Sequence, residues 1–224
     1  MKPLVVAIII FGFIIISALL RSQIPTPFER KPRCVFVDLG ANIGDSAEDF
    51  LSGKFYLPEG YKPSDCELFL FEASPVHTPS LLKLLQKRKD VKITLFASTA
   101  ATTENGPITF YLDTINPDNH YWGASLLDNV ADVVKSGKVN ITVQGMNIAH
   151  WLLNNFSIDD YVIVKVDIEG AEYFVLPHIL EHHAYLVIDA MKCEFHGSNG
   201  IYSKDILIAE YKKHNIDIGH WSKK

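Results

Sequence analysis

Six residues in the last third of the chain have the types and spacing for proton chemistry. Lys165, Asp167, Glu169 and Glu172 run through "KVDIEGAE", and Glu194 and His196 follow in "CEFHG". Lys165 and Asp167 stand two apart at the end of the apolar run Tyr161 to Val166, so on a strand they share one face, and Gly170 gives the following turn its freedom. A carboxylate there can orient a hydroxyl, and a histidine, whose ordinary pKa lies nearest neutral pH, can take its proton. Asp167 is therefore the first candidate to face a reacting hydroxyl and His196 the candidate base, with Glu169 and Lys165 beside them. Plainer roles stay open. An acid at a helix start also serves as a cap, Lys165 could do no more than pair with an acid, and a lone histidine is often surface or core. Asp167, Glu169 and His196 would also suit a divalent ion, but no H-x-H or H-x-x-x-H spacing joins them, and no metal is expected.

A second group opens the domain. In "VDLGANIGD", Gly40 and Gly44 bracket Asn42, giving D-x-G-x-N-x-G rather than the G-x-G-x-x-G of a dinucleotide site. Asn tolerates a left-handed conformation but keeps a side chain where a pyrophosphate would press on the backbone, so a ligand without one fits better. Asp38, at the strand tip, can accept from an ammonium group, and Glu72, at the next tip, can accept from a ribose diol. An amino acid joined to a nucleoside is S-adenosyl-L-methionine. Asp38, Gly40, Asn42, Gly44 and Glu72, together with Ser98 just past the third strand, form the expected cofactor set. A tight turn with an Asp cap and no ligand is the plain alternative.

These residues need strands and helices in alternation. Val35–Leu39, Leu68–Phe71 and Val91–Ala97 read as buried parallel strands, with helical spacing in Asp45–Leu51 and in Pro79–Lys89, where Leu81, Leu82, Leu84 and Leu85 oppose Lys83, Lys87 and Arg88. Strands are expected at Ile108–Leu112, Ile141–Val143, Tyr161–Val166 and Ala184–Ile188, and helices near Asn147–Asn154, Ala171–Leu180 and Lys204–His214. The order calls for an α/β fold, a Rossmann-like doubly wound, mostly parallel sheet with ligands at the carboxyl ends of its strands.

The segments "FVDLGANIGDS", "FEASP" and "VKVDIEGAEYFVLPHIL", followed by "CEFHG", resemble the FkbM family of S-adenosylmethionine-dependent methyltransferases from about Cys34 to about Tyr211. The resemblance implies a class I methyltransferase fold and methyl transfer, mainly to hydroxyls of sugars or polyketides. A nicotinamide-dependent oxidoreductase on the same topology is disfavoured by the glycine spacing; a protein that keeps the fold and binds without turnover remains. The chain ends soon after "NIDIGHW", which leaves little room for the final antiparallel hairpin such folds usually carry.

Pro3 to Leu20 is an uncharged apolar run of 18 residues, about 27 Å as a helix and close to a bilayer's hydrocarbon thickness. We read residues 1–21 as an uncleaved signal anchor, one transmembrane helix, with a cleaved signal peptide as the alternative. Residues 22–33 read as a proline-bearing stalk and 34–224 as one domain. Lys2 faces Arg21, Arg30, Lys31 and Arg33 across the run, so positive charge does not fix the orientation. The expectation is a type II membrane protein with a lumenal domain, or a secreted one if the segment is cleaved, acting on a hydroxyl-bearing, carbohydrate acceptor. A net charge of −5 with no basic tract gives no nucleic-acid partner. Sequons at Asn140 and Asn155 weigh slightly toward the lumen. There, Cys34 and Cys66, at the starts of adjacent parallel strands, would bridge and leave Cys193 free. In a reducing compartment all three would be buried thiols.

Overall fold

The computed structural model describes residues 32–197 and 201–221. The expected membrane segment and nearly all of the stalk lie outside them, and among the described residues no helix is long and apolar enough to cross a membrane.

β1 (Cys34–Leu39), β2 (Glu67–Glu72), β3 (Ile93–Ala97), β7 (Tyr161–Val166), β8 (Ala190–Cys193) and β9 (Ile218–His220) form one sheet, in the order β3-β2-β1-β7-β8-β9. Every pairing in it is parallel. A sheet covered on both faces buries successive side chains, which is why "CVFVDL" and "YVIVKV" are nearly unbroken apolar runs. Phe36, Leu68, Leu70 and Ile163 face α1 (Asp45–Leu51) and α2 (Thr78–Lys87) through Ala47, Phe50, Leu81 and Leu84. Val35, Val37, Val162 and Val164 face α4 (Ile148–Asn155), α5 (Glu172–Glu181) and α6 (Lys204–Lys212) through Leu152, Val175, Leu176, Ile179, Leu207 and Tyr211. The sheet is thus doubly wound, as the alternation requires.

A second, three-stranded sheet holds β4 (Thr99–Thr102), β6 (Asn140–Asn147) and β5 (Gly106–Tyr111), with β6 parallel to β4 and antiparallel to β5. The short helix α3 (Ala131–Lys135) lies between β5 and β6 in the chain.

Several expectations are corrected. Ala184–Ile188 is not a strand: Ala184–Val187 forms a 3₁₀ turn that buries Ala184 and Val187, three apart, in the helix-side core, and the strand begins at Ala190. Leu82 is exposed, so α2 packs through Leu81 and Leu84 alone of its buried positions. The end of the sheet, left open by the sequence, is β9, which lies parallel beside β8. β4, β9 and α3 were not legible beforehand: "TAAT" is too small and polar to read as a strand, although all four residues are buried.

Cys34 and Cys66 are joined in a disulfide and Cys193 is a buried free thiol, the arrangement expected of a lumenal domain.

Candidate active site

The carboxyl ends of β1, β2 and β7 meet the turn from β3 into β4 around one cleft. Gly40, Asn42, Glu72 and Asp167 to Glu169 line it from the strand tips, and Phe110, Tyr121, Trp122, Ala124 and Leu126 from the second sheet and its loop.

Two buried carboxylates shape the turns. Glu72 accepts from the Asn42 amide at 2.6 Å through one oxygen and from the Ser74 amide at 2.7 Å through the other. Burial lifts its pKa to about 7 against the pull of those two bonds. Glu172, fully buried at the start of α5, does the same for the β7 turn, accepting from Ile168 N at 2.9 Å and Gly170 N at 2.8 Å. Glu172 caps none of the helix's own amides; it braces the turn that leads into the helix instead. Each Glu72 oxygen keeps a lone pair, and the residue still lines the cleft.

Lys165 and Asp38 are placed otherwise than expected. They are register partners on β1 and β7, so in parallel strands their side chains share the face beneath α1, and both are fully buried. Lys165 Nζ lies 3.1 Å from Asp38 Oδ1 and 3.3 Å from Asp167 Oδ2 and donates to Gly40 O at 2.7 Å. Burial pulls the Lys165 pKa down, but the two carboxylates outweigh it and hold it above the ordinary lysine value. Asp38 also accepts from Ser46 Oγ. Neither residue lines the cleft. Asp38 thus sits in the floor beneath the turn, and Lys165 is the strut that ties the glycine turn to Asp167.

Gly44 and Ser98, of the expected cofactor set, stand outside the cleft lining. Gly44, with φ 93°, begins α1, and a Cβ there would sit 2.7 Å from Leu84: it is a packing glycine. Ser98, with φ 50°, turns β3 into β4, and it is Thr99, Ala100 and Ala101 that reach the cleft. Gly40 and Asn42 belong to that lining. Gly40 has φ 88°, and a Cβ would come within 1.9 Å of the Asp167 carbonyl, so the tips of β1 and β7 touch at a point that only glycine allows. Asn42 holds φ 50°, with its amide nitrogen 3.3 Å from His77 Nε2.

Asp167, Glu169 and His196 come together as expected. His196 Nε2 lies 3.9 Å from Asp167, 3.7 Å from Glu169 and 3.8 Å from Glu194, and Nδ1 is 3.1 Å from Glu172. Burial lowers the His196 pKa, but the Glu172 bond and the surrounding acids raise it to about 9. It is then an imidazolium at neutral pH and a poor proton acceptor. Burial, countered in part by His196, lifts Glu169 to about 7. Of the two groups, Glu169 is the one whose pKa lies near neutral pH. Glu169 has φ 52°, and its backbone carbonyl accepts from Ser125 Oγ at 2.6 Å, which fastens the Tyr121–Leu126 loop to the catalytic turn.

Glu169 also borders a second, roomier groove, with Leu127, Phe174, Phe195 and His196. Ser74, His77, Thr99 and Phe110 were not expected in the cleft. Ser74 had a signal, lying two residues past the tip acid in "FEASP"; Phe110 had none, because it comes from the second sheet.

A family model described as the methyltransferase FkbM domain matches residues 38–213. Comparison with curated proteins and with solved structures gave no match.

Proposed function

Since the chain belongs to the FkbM methyltransferase family, we propose that it moves a methyl group from S-adenosyl-L-methionine to a hydroxyl of a sugar or glycoconjugate. The observation that carries this reading is Glu169, the residue that borders both the cleft and the groove beside it. One side has the features of a donor site and the other those of an acceptor site, with a carboxylate of pKa about 7 between them.

The cleft residues fit the cofactor by chemistry. Glu72 retains acceptor capacity for a ribose diol, Asp167 offers negative charge to the cationic methionine end, and Phe110, Leu126 and Ala100 supply an apolar wall for a purine. When bound, the cofactor supplies an already activated methyl group, so most of what the protein adds is proximity and orientation. Lys165 holds Asp167 in place from below. Glu169 accepts the proton of the acceptor hydroxyl at its free carboxylate oxygen, and His196 keeps that carboxylate oriented. Exposed Phe174, with Phe195, gives the groove aromatic faces for the C–H face of a sugar ring.

The placement we propose is lumenal, on a membrane anchor formed by the apolar opening of the chain. The Cys34–Cys66 bridge supports it, because such bonds persist in oxidising compartments.

The test joins calorimetry with S-adenosyl-L-methionine, NAD as control, to a methyl-transfer assay over a panel of hydroxylated glycans with wild type and Glu169→Gln. Cofactor binding and transfer that the variant abolishes are expected. Binding without transfer to any acceptor would leave a non-catalytic ligand-binding protein, and binding of NAD instead would overturn the donor assignment.

A further inference from the structure

Away from the cleft, α4 and α5 bring imidazoles together. His178 and Glu181 stand in the last turn of α5, and His182, four past His178, is the residue that ends the helix, so the three lie on neighbouring positions. One ligand atom from each lies within 4.8 Å of the others. The His178 and His182 ring centroids are 4.2 Å apart, and the His150 ring of α4 is 5.0 Å from that of His182.

We propose that His178, Glu181 and His182, with His150 as the fourth donor, bind a divalent transition metal ion of the zinc type. Imidazole nitrogen and carboxylate oxygen in a set of four are the donors such an ion takes in closed, tetrahedral sites. His178 Nε2 lies 3.1 Å from the Asn147 side-chain oxygen, which also caps α4 by accepting from His150 N. With Nε2 donating to that oxygen, Nδ1 keeps its lone pair, the second-shell arrangement that orients a metal-binding histidine. None of the four residues lines the cleft or the groove beside it. The ion would join α4 to α5 on the helix-covered face of the sheet and act on stability.

The test is a calorimetric titration of the full-length chain, in mild detergent at neutral pH, with zinc chloride alone. Wild type, His182→Ala, Glu181→Gln and His196→Ala are compared, the last because Asp167, Glu169 and His196 are the other group of ligands close enough to share an ion. Melting without metal checks that each variant folds. One high-affinity zinc per chain is expected, with a zinc-dependent rise in melting temperature. His182→Ala should weaken binding at least about tenfold, while His196→Ala leaves it unchanged. Equal zinc affinity in folded His182→Ala, or loss of the ion in His196→Ala alone, would overturn the assignment.

Discussion

Glu169 and His196 allow a pH experiment whose size follows from one distance. If Glu169 must be ionised to take the acceptor's proton, kcat/KM for the methyl donor should rise with pH through a midpoint of about 7. The charged His196 lies 3.7 Å from the Glu169 carboxylate and favours its ionised form. Two unit charges at that separation interact by about 1.1 kcal/mol even at the dielectric constant of water, and by more in a partly buried site. At about 1.36 kcal/mol per unit, His196→Gln should raise the Glu169 midpoint by at least about 0.8 units. The rising limb of the profile should move to higher pH by that amount, while Glu169→Gln should flatten it and lower turnover at least about 100-fold. The assay is donor-dependent methyl transfer at fixed ionic strength from pH 5.5 to 9. A limb that stays in place in His196→Gln, or normal turnover in Glu169→Gln, would refute the assignment of the base.

Other perturbations test the frame. Lys165→Met would leave Asp38 and Asp167 without their shared counter-charge and Gly40 O without its donor, and should cost at least about 3 kcal/mol in urea unfolding. Gly40→Ala should fail to fold stably with or without cofactor, seen as lost soluble yield or a collapsed melting transition, because the added carbon meets the Asp167 carbonyl. Glu72→Gln turns one acceptor oxygen into a donor facing an amide N–H. It should cost about 1–3 kcal/mol of stability and shrink the cofactor-induced rise in melting temperature. Replacing Cys34 and Cys66 together by Ser frees a loop with a sequence separation of 32. By the chain-entropy relation it should lower unfolding free energy by about 3.7 kcal/mol, read as a shifted urea midpoint without reductant.

The sheet was legible because a strand buried on both faces is written as a continuous apolar run, and β1, β2 and β7 are such runs. Ala184–Ile188 is as apolar but covered on one side only, which makes a turn sufficient. The acids were legible as a set, since carboxylates at strand tips are conspicuous, but their roles were not. Alternation puts Lys165 and Asp167 on one face, but it does not reveal that the register sets Asp38 beside Lys165 or that α1 roofs the pair over, with Ser46 as part of that roof. Gly44 looked like a ligand glycine because the turn motif is local, whereas its neighbour Leu84 comes from another helix. The pKa of His196 depends on Asp167, Glu169 and Glu172 as well as on its own neighbours, so its ordinary value misled.

The entry of the chain into the domain has a mechanical meaning. The Arg33 amide and guanidinium both hold Asp160, just ahead of β7, and the next residue, Cys34, is bonded covalently to the start of β2. A pull on the segment ahead of Arg33 therefore does not load β1 alone. Tension divides at once among three neighbouring strands, through an ion pair on one side and a sulfur bridge on the other, so β1 cannot be peeled from the sheet edge-first. The cleft lies at the far ends of the same strands, away from this point of entry.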